Sequence, residues 1–187
     1  LGASISPPDE DDPFAVVIDS ARSILLQGLD IRNNASTFSA SGIWITNNSN
    51  VVIQDSTIEN STSDGIRVSE NSIVSIAATT IQNNGGSGLV IENGSVARLL
   101  GDEDNPVNIN NNGNFGIGLQ AGTLRSAGSL MVESNRAGLF LKLGSQARID
   151  SEAGYNSFSS NTQRGVWVLT GSTIQFVGSN QISNNGY

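Results

Sequence analysis

Short alternations of apolar and polar residues, period two, run along the whole chain and return at a fixed interval. The pattern Gly-apolar-x-apolar occurs six times: Gly42-Ile43-Trp44-Ile45, Gly65-Ile66-Arg67-Val68, Gly88-Leu89-Val90-Ile91, Gly116-Ile117-Gly118-Leu119, Gly138-Leu139-Phe140-Leu141 and Gly165-Val166-Trp167-Val168. Successive glycines are 23, 23, 28, 22 and 27 residues apart. The two long intervals hold candidate insertions, at Gly101–Pro106 and Asp150–Tyr155. Without them every period is 22–23 residues.

Each period contains two further alternations. One begins nine residues after the glycine: Val51/Ile53, Val74/Ile76, Ala97/Leu99, Ala147/Ile149 and Ile174/Phe176, slipping by one to Leu124/Ser126 in the Gly116 period. The other ends in apolar-x-Asn: Ile31-Arg32-Asn33, Ile58-Glu59-Asn60, Ile81-Gln82-Asn83, Ile109-Asn110-Asn111 and Ile182-Ser183-Asn184. An earlier period without the glycine motif spans Phe14 to Asn34.

Strands of three to five residues with period-two alternation cannot be helix. Each buries one face, and a single coil would leave that face wet. Stacking coils at the ~4.8 Å strand spacing buries it and lines equivalent residues up in columns. The pattern therefore predicts an all-β parallel solenoid of about seven coils, three short strands per coil, over residues 14–187. Residues 1–13, with Asp9-Glu10-Asp11-Asp12 between prolines, read as an acidic leader or linker. The glycine before the first strand and the asparagine after the third are expected to turn corners at positive φ. The asparagines are also expected to stack as an amide ladder.

These repeats resemble the right-handed parallel β-helix repeat proteins of the pectate-lyase-like superfamily, over roughly residues 14–187. Phe158-Ser159-Ser160-Asn161 also matches the Phe-x-x-Asn repeat of chlamydial polymorphic membrane proteins. The resemblance implies a right-handed coil. It leaves function wide, since that superfamily includes polysaccharide lyases and hydrolases, epimerases, phage tailspikes and surface adhesins.

Two outward columns carry candidate chemistry. At the middle of the first strand stand Trp44, Arg67, Val90, Gly118, Phe140 and Trp167, an apolar and aromatic row for a solvent face. A loop, neighbouring domain or partner chain over it is the plainer reading; a sugar-stacking surface is the functional one. Glu92 and Lys142 fall two residues further on, two coils apart. At the middle of the second strand stand Val52, Ser75, Arg98, Arg125, Arg148 and Gln175. Three arginines on consecutive coils repel one another. Compensation is expected from Asp102, Glu103, Asp104, Asp150 and Glu152, or from an anionic glycan or phosphate held by the guanidinium forks.

Composition narrows the chemistry. Of 187 residues, 37% are hydrophobic and 14% charged, and there is neither cysteine nor histidine. Thiol nucleophiles, disulfides, thiolate metal sites and imidazole bases are excluded. The Gly-His-Gly segment of hydrolases resembling this fold is absent, and the first outward column holds no carboxylate. No catalytic residue, metal ligand or cofactor is therefore assigned. A net charge of −8 argues against nucleic acid as a partner. No run approaches the roughly 18 apolar residues of a membrane helix. Sequons at Asn34, Asn47, Asn60 and Asn93 are what this composition gives by chance. The binding candidates are Trp44, Arg67, Phe140 and Trp167 on one face and Arg98, Arg125 and Arg148 on another.

The expectation is a non-enzymatic structural or binding module of an exported or cell-surface protein, a rigid rod with a polysaccharide as partner. The alternative is the scaffold of a polysaccharide-active, lyase-like enzyme whose catalytic residues are incomplete in this chain. With no helix legible as a lid, the chain reads as a segment of a longer protein or as a subunit associating end to end.

Overall fold

The structure, a computed structural model, describes residues 3–5, 14–32, 40–151 and 154–186. Strands are numbered β1 to β22 in chain order and form three parallel sheets. The first sheet stacks β2 (Phe14–Asp19), β5 (Ser41–Thr46), β8 (Ile66–Val68), β11 (Leu89–Glu92), β14 (Phe115–Gln120), β17 (Ala137–Lys142) and β20 (Arg164–Val168). The second stacks β3 (Ile24–Gln27), β6 (Asn50–Gln54), β9 (Ile73–Ala77), β12 (Val96–Leu100), β15 (Thr123–Ala127), β18 (Gln146–Asp150) and β21 (Thr173–Val177). The third stacks β1 (Ala3–Ile5), β4 (Leu29–Arg32), β7 (Thr57–Glu59), β10 (Thr80–Gln82), β13 (Val107–Asn110), β16 (Leu130–Glu133), β19 (Asn156–Ser159) and β22 (Asn180–Ser183). Consecutive strands always fall in different sheets, so the chain winds as a solenoid with three strands per coil. The acidic cluster at residues 9–12 lies outside the described residues. Ala3–Ile5, within the same leader, pairs with Leu29–Ile31.

The register is the one the periodicity requires. Ile43, Ile66, Leu89, Ile117 and Leu139 are mutual partners in the first sheet, and Val51, Val74, Ala97, Leu124 and Ala147 in the second. In the third, Ile31, Ile58, Ile81, Ile109, Val132 and Phe158 stack. These columns form one continuous buried core. Each fully buried Ile or Leu contributes about 1.5–3 kcal/mol, and none of that is available to a coil alone. The first insertion is the expected loop between β12 and β13; of the second, between β18 and β19, Ser151, Gly154 and Tyr155 are described and lie outside the strands.

The slip at Leu124/Ser126 has a local cause. Most corners between the first and second sheets use two successive left-handed residues, such as Asn47-Asn48, Glu70-Asn71, Asn93-Gly94 and Leu143-Gly144. After Gln120 only Ala121 is left-handed, so β15 begins one residue early. A price in packing remains: Ser126 points inward between Leu99 and Ile149, and its buried Oγ has no hydrogen-bond partner.

Two corner expectations need correction. None of the six motif glycines has positive φ. They are required by close approach instead. A Cβ on Gly65 would lie 2.7 Å from Ile81 Cγ2, 2.8 Å from Asn84 Nδ2 and 2.8 Å from the Gly88 carbonyl. The asparagine corner does use positive φ, at Asn60, Asn83, Asn111 and Asn184, but those side chains do not make the ladder. The ladder is one residue further on: Asn84, Asn112, Asn135, Asn161 and Asn185. The working motif is apolar-x-x-Asn, and Phe158-x-x-Asn161 is one instance of it. Asn33 lies outside the described residues.

Candidate functional site

On the outer face of the first sheet, the column Val17, Trp44, Arg67, Val90, Gly118, Phe140, Trp167 is in continuous register. It is not a bare apolar stripe. Gly118 leaves a gap in it, and the Phe115 ring lies over that gap, 3.3 Å from where a Gly118 Cβ would stand. Phe115 stacks on Phe140 at 4.4 Å between centroids and 15° between planes, and Phe140 meets Trp167 edge-on at 5.0 Å. Arg164 caps the row, its guanidinium carbon 4.3 Å from the centre of the Trp167 ring. At the other end Phe14 stacks on Trp44 at 4.8 Å, and Trp44 Nε1 donates to Ser69 Oγ at 3.0 Å.

Between these aromatic groups the sheet carries charge. Arg67 donates from Nε to Glu92 Oε1 at 2.8 Å and from Nη2 to Glu92 Oε2 at 3.2 Å, a two-pronged pair across adjacent coils. Asp64 stands beside it, accepting from the Ser87 backbone N–H at 2.9 Å. Burial pushes the Asp64 carboxyl above its ordinary value, opposed by the Ser87 bond and by Arg67 and reinforced by Glu92. The Arg67 guanidinium is held more firmly protonated, chiefly by its bond to Glu92. Glu92, Gln120 and Lys142 are consecutive partners in one outward column. Together Asp64, Arg67, Glu92, Phe115, Phe140 and Lys142 border a cleft of about 240 Å³ floored by Val90 and Gly118.

Of the first-face candidates, Arg67 and Phe140 therefore share one cleft, Trp167 extends its aromatic wall, and Trp44 belongs to a separate pair with Phe14. Glu92 and Lys142, two coils apart, reach the same cleft with Gln120 between them. The carboxylates missing from the central column come from its two flanks. The residues that sequence reasoning passed over, Phe14, Asp64, Phe115 and Arg164, all immediately precede a motif glycine or align with such a position. Phe14 pairs with Ser41, Phe115 with Ala137 and Ala137 with Arg164. Parity alone would point these side chains inward, but the close-packed glycine corner turns them out. The available signal was the residue before each glycine.

On the second sheet, Val52, Ser75, Arg98, Arg125, Arg148 and Gln175 are likewise consecutive partners. Arg148 is held by Asp150 on its own strand, at 2.8 Å. Asp102 is turned instead to its own loop, accepting from the Asn105 backbone at 2.7 Å. Among the described residues Arg98 and Arg125 make no ion pair; Glu152 lies outside them. Also among the described residues, no group of three or more acidic side chains is placed to hold a metal ion, and no helix is long and apolar enough to cross a membrane.

A family model described as a right handed beta helix region matches residues 14–123, well over half of the chain. The chain belongs to the right-handed β-helix family. Its coil is thus right-handed, as the resemblance implied, and the matched span takes in the first four coils and the Arg67–Glu92 pair. A search of curated proteins and a search of solved structures each returned no match. Membership in the right-handed β-helix family carries the fold; what the cleft binds has to be argued from its own groups.

Proposed function

We propose that this chain is a non-enzymatic carbohydrate-binding module of an exported or cell-surface protein, a rigid β-helical rod that holds a sugar in the cleft of its first sheet. The observation that carries this is the pairing of the Phe115–Phe140 shelf with the Arg67–Glu92 fork across one concave site. A pyranose has an apolar face of C–H groups and an equatorial belt of hydroxyls. Aromatic faces suit the first, and fixed donor–acceptor pairs suit the second. The Arg67–Glu92 pair is already formed, so little side-chain entropy is lost on binding.

The test is titration calorimetry against a panel of neutral and acidic oligosaccharides, using the wild type, Phe115→Ala and Arg67→Gln. Binding by the wild type, weakened at least tenfold by either change with circular dichroism unaltered, supports the module. No binding anywhere in the panel, or an isotherm indifferent to both changes, overturns it.

One observation favours a second reading, the polysaccharide-active enzyme: Asp64, with its raised carboxyl pKa, faces the same cleft as the ionisable Glu92. Release of new reducing or unsaturated ends from the same panel, abolished by Asp64→Asn, would replace the binding module with this reading.

A further inference from the structure

We infer that Asn93-Gly94, at the exposed corner after β11, is a site of spontaneous covalent modification, where water converts the Asn93 amide to aspartate and isoaspartate through a cyclic imide with the Gly94 nitrogen. In the first step the Gly94 nitrogen loses its proton to solvent and bonds to Asn93 Cγ. The Cγ–Nδ2 bond breaks, and the amide nitrogen leaves as ammonia. Water then opens the succinimide ring at either carbonyl. In sum, one amide and one water give one carboxylate and one ammonium ion. A glycine after the asparagine favours ring closure, since it has no Cβ to hinder the nitrogen or restrict the backbone.

Four Asn-Gly pairs occur in the chain, Asn84-Gly85, Asn93-Gly94, Asn112-Gly113 and Asn185-Gly186, and the fold separates them. Asn84 and Asn112 are rungs of the buried ladder, 2% and 3% exposed. The Asn84 amide donates to Asn112 Oδ1 and to the Ile58 carbonyl and accepts from the Ser61 backbone. The nitrogens of Gly85 and Gly113 donate at 2.8 Å to the carbonyls of Ser61 and Asn84. Ring closure at either rung would break these bonds inside the core and leave a carboxylate buried among acceptors. Asn185 is tied in the same way, to Asn161 and to the Phe158 carbonyl. Asn93 is exposed and outside the strands. Among the described residues its side-chain amide makes one bond, from Nδ2 to Glu70 Oε1 at 2.9 Å. The Gly94 N–H must leave the Ala121 carbonyl, 2.8 Å away, and an exposed corner opens locally at lower cost than a packed core. Either product sets a carboxylate against Glu70 where the amide now donates. Isoaspartate also adds a backbone methylene directly after Glu92, the carboxylate that holds Arg67.

The reaction needs only water, so its outcome does not depend on whether the cleft binds a sugar. The test is incubation of the folded protein at physiological temperature, from neutral to mildly alkaline pH, followed by tryptic digestion and tandem mass spectrometry. Val68–Arg98 is a single tryptic peptide that carries both Asn84 and Asn93, so the mass gain is assigned between them within one spectrum. Product at Asn93 should accumulate at least tenfold faster than at Asn84 or Asn112, as a mixture of aspartate and isoaspartate, at a rate that rises with pH. In concentrated urea, where neither corner nor ladder exists, the three sites should react within threefold of one another. Asn93→Gln should remove the product at this corner and leave the ladder asparagines unmodified. Folded protein in which Asn93 reacts no faster than Asn84 would overturn the inference. The same ranking in urea would also overturn it, since local sequence rather than the fold would then set the site.

Discussion

Asn112 donates from Nδ2 to the Oδ1 of Asn135 at 3.0 Å, and from the same nitrogen to the carbonyl of Ile81 at 3.2 Å. Its own Oδ1 accepts from the Asn84 side chain at 2.9 Å and from the Asn84 backbone at 3.2 Å. One buried amide thus ties three coils together with every polar atom used. Aspartate at this position has the same shape but no donor, so it would set a buried carboxylate against two acceptors. Asn112→Asp should cost several kcal/mol at neutral pH, more than the roughly 2–4 kcal/mol expected of Asn112→Ala. Urea denaturation of the two variants checks the order; equal losses would show that the ladder contributes packing rather than hydrogen bonds.

The same geometry marks where the ladder stops. In the coil before Asn84 the equivalent residue is Ser61, whose backbone N–H donates to Asn84 Oδ1 at 3.0 Å but whose buried Oγ has no partner. Gly42 leaves the space beside Ser61 Oγ that the other motif glycines leave beside the ladder asparagines. Ser61→Asn should extend the ladder by one rung and stabilise the protein by about 1 kcal/mol. A rise in denaturation midpoint at unchanged m-value is the expected readout; a fall would mean that the hydroxyl gap is too tight for an amide.

Strand content, sheet assignment and register were legible because period-two alternation and a fixed repeat determine them together. Ile43, Ile66 and Leu89 could hardly be placed elsewhere without exposing a whole face. The corners were only partly legible. Asn83 and Asn84 are adjacent asparagines, and nothing local says which one turns the chain at φ 56° and which one turns inward to bond its neighbour. The site was half legible for a related reason. Arg67 and Phe140 follow from strand parity, whereas Asp64 and Phe115 sit at the bend where parity fails. The arginine column was read correctly as a column, and its partners in part: Arg148 takes Asp150, one of the acids expected, while Asp102 serves its own loop.

Glycine at the start of the first strand is a steric requirement, which separates two explanations of the repeat. If positive φ were the reason, alanine would be tolerated wherever φ is negative, as it is at Gly65. Because a Cβ there would meet a carbonyl and two side chains of the packed corner inside 3 Å, Gly65→Ala should destabilise by about 1–3 kcal/mol. Gly144, at φ 74° with nothing within 4 Å of a built Cβ, gives the contrasting case. Gly144→Asn should be nearly neutral, since asparagine tolerates the left-handed region. Thermal melts of both variants decide; the reverse order would restore the conformational explanation.

The last expectation concerns pH. The Asp64 carboxyl lies above its ordinary value of 3.8, because burial disfavours its charged form more than Arg67 and the Ser87 N–H favour it. The folded protein therefore binds this proton more tightly than the unfolded chain. Stability from this group is complete below 3.8, falls as pH rises through the folded-state value, and is constant above it. Asparagine keeps the Oδ1 acceptor for the Ser87 N–H, which is 2.9 Å away, and carries no charge. Asp64→Asn should thus gain stability relative to wild type as pH rises from the ordinary carboxylate range toward neutrality, and show no relative gain at the acid end. Parallel urea titrations at several pH values measure that difference, in which the other carboxylates, common to both proteins, cancel. A variant that loses stability relative to wild type as pH rises would show that the attraction of Arg67 outweighs burial, and that Asp64 stays charged in the cleft.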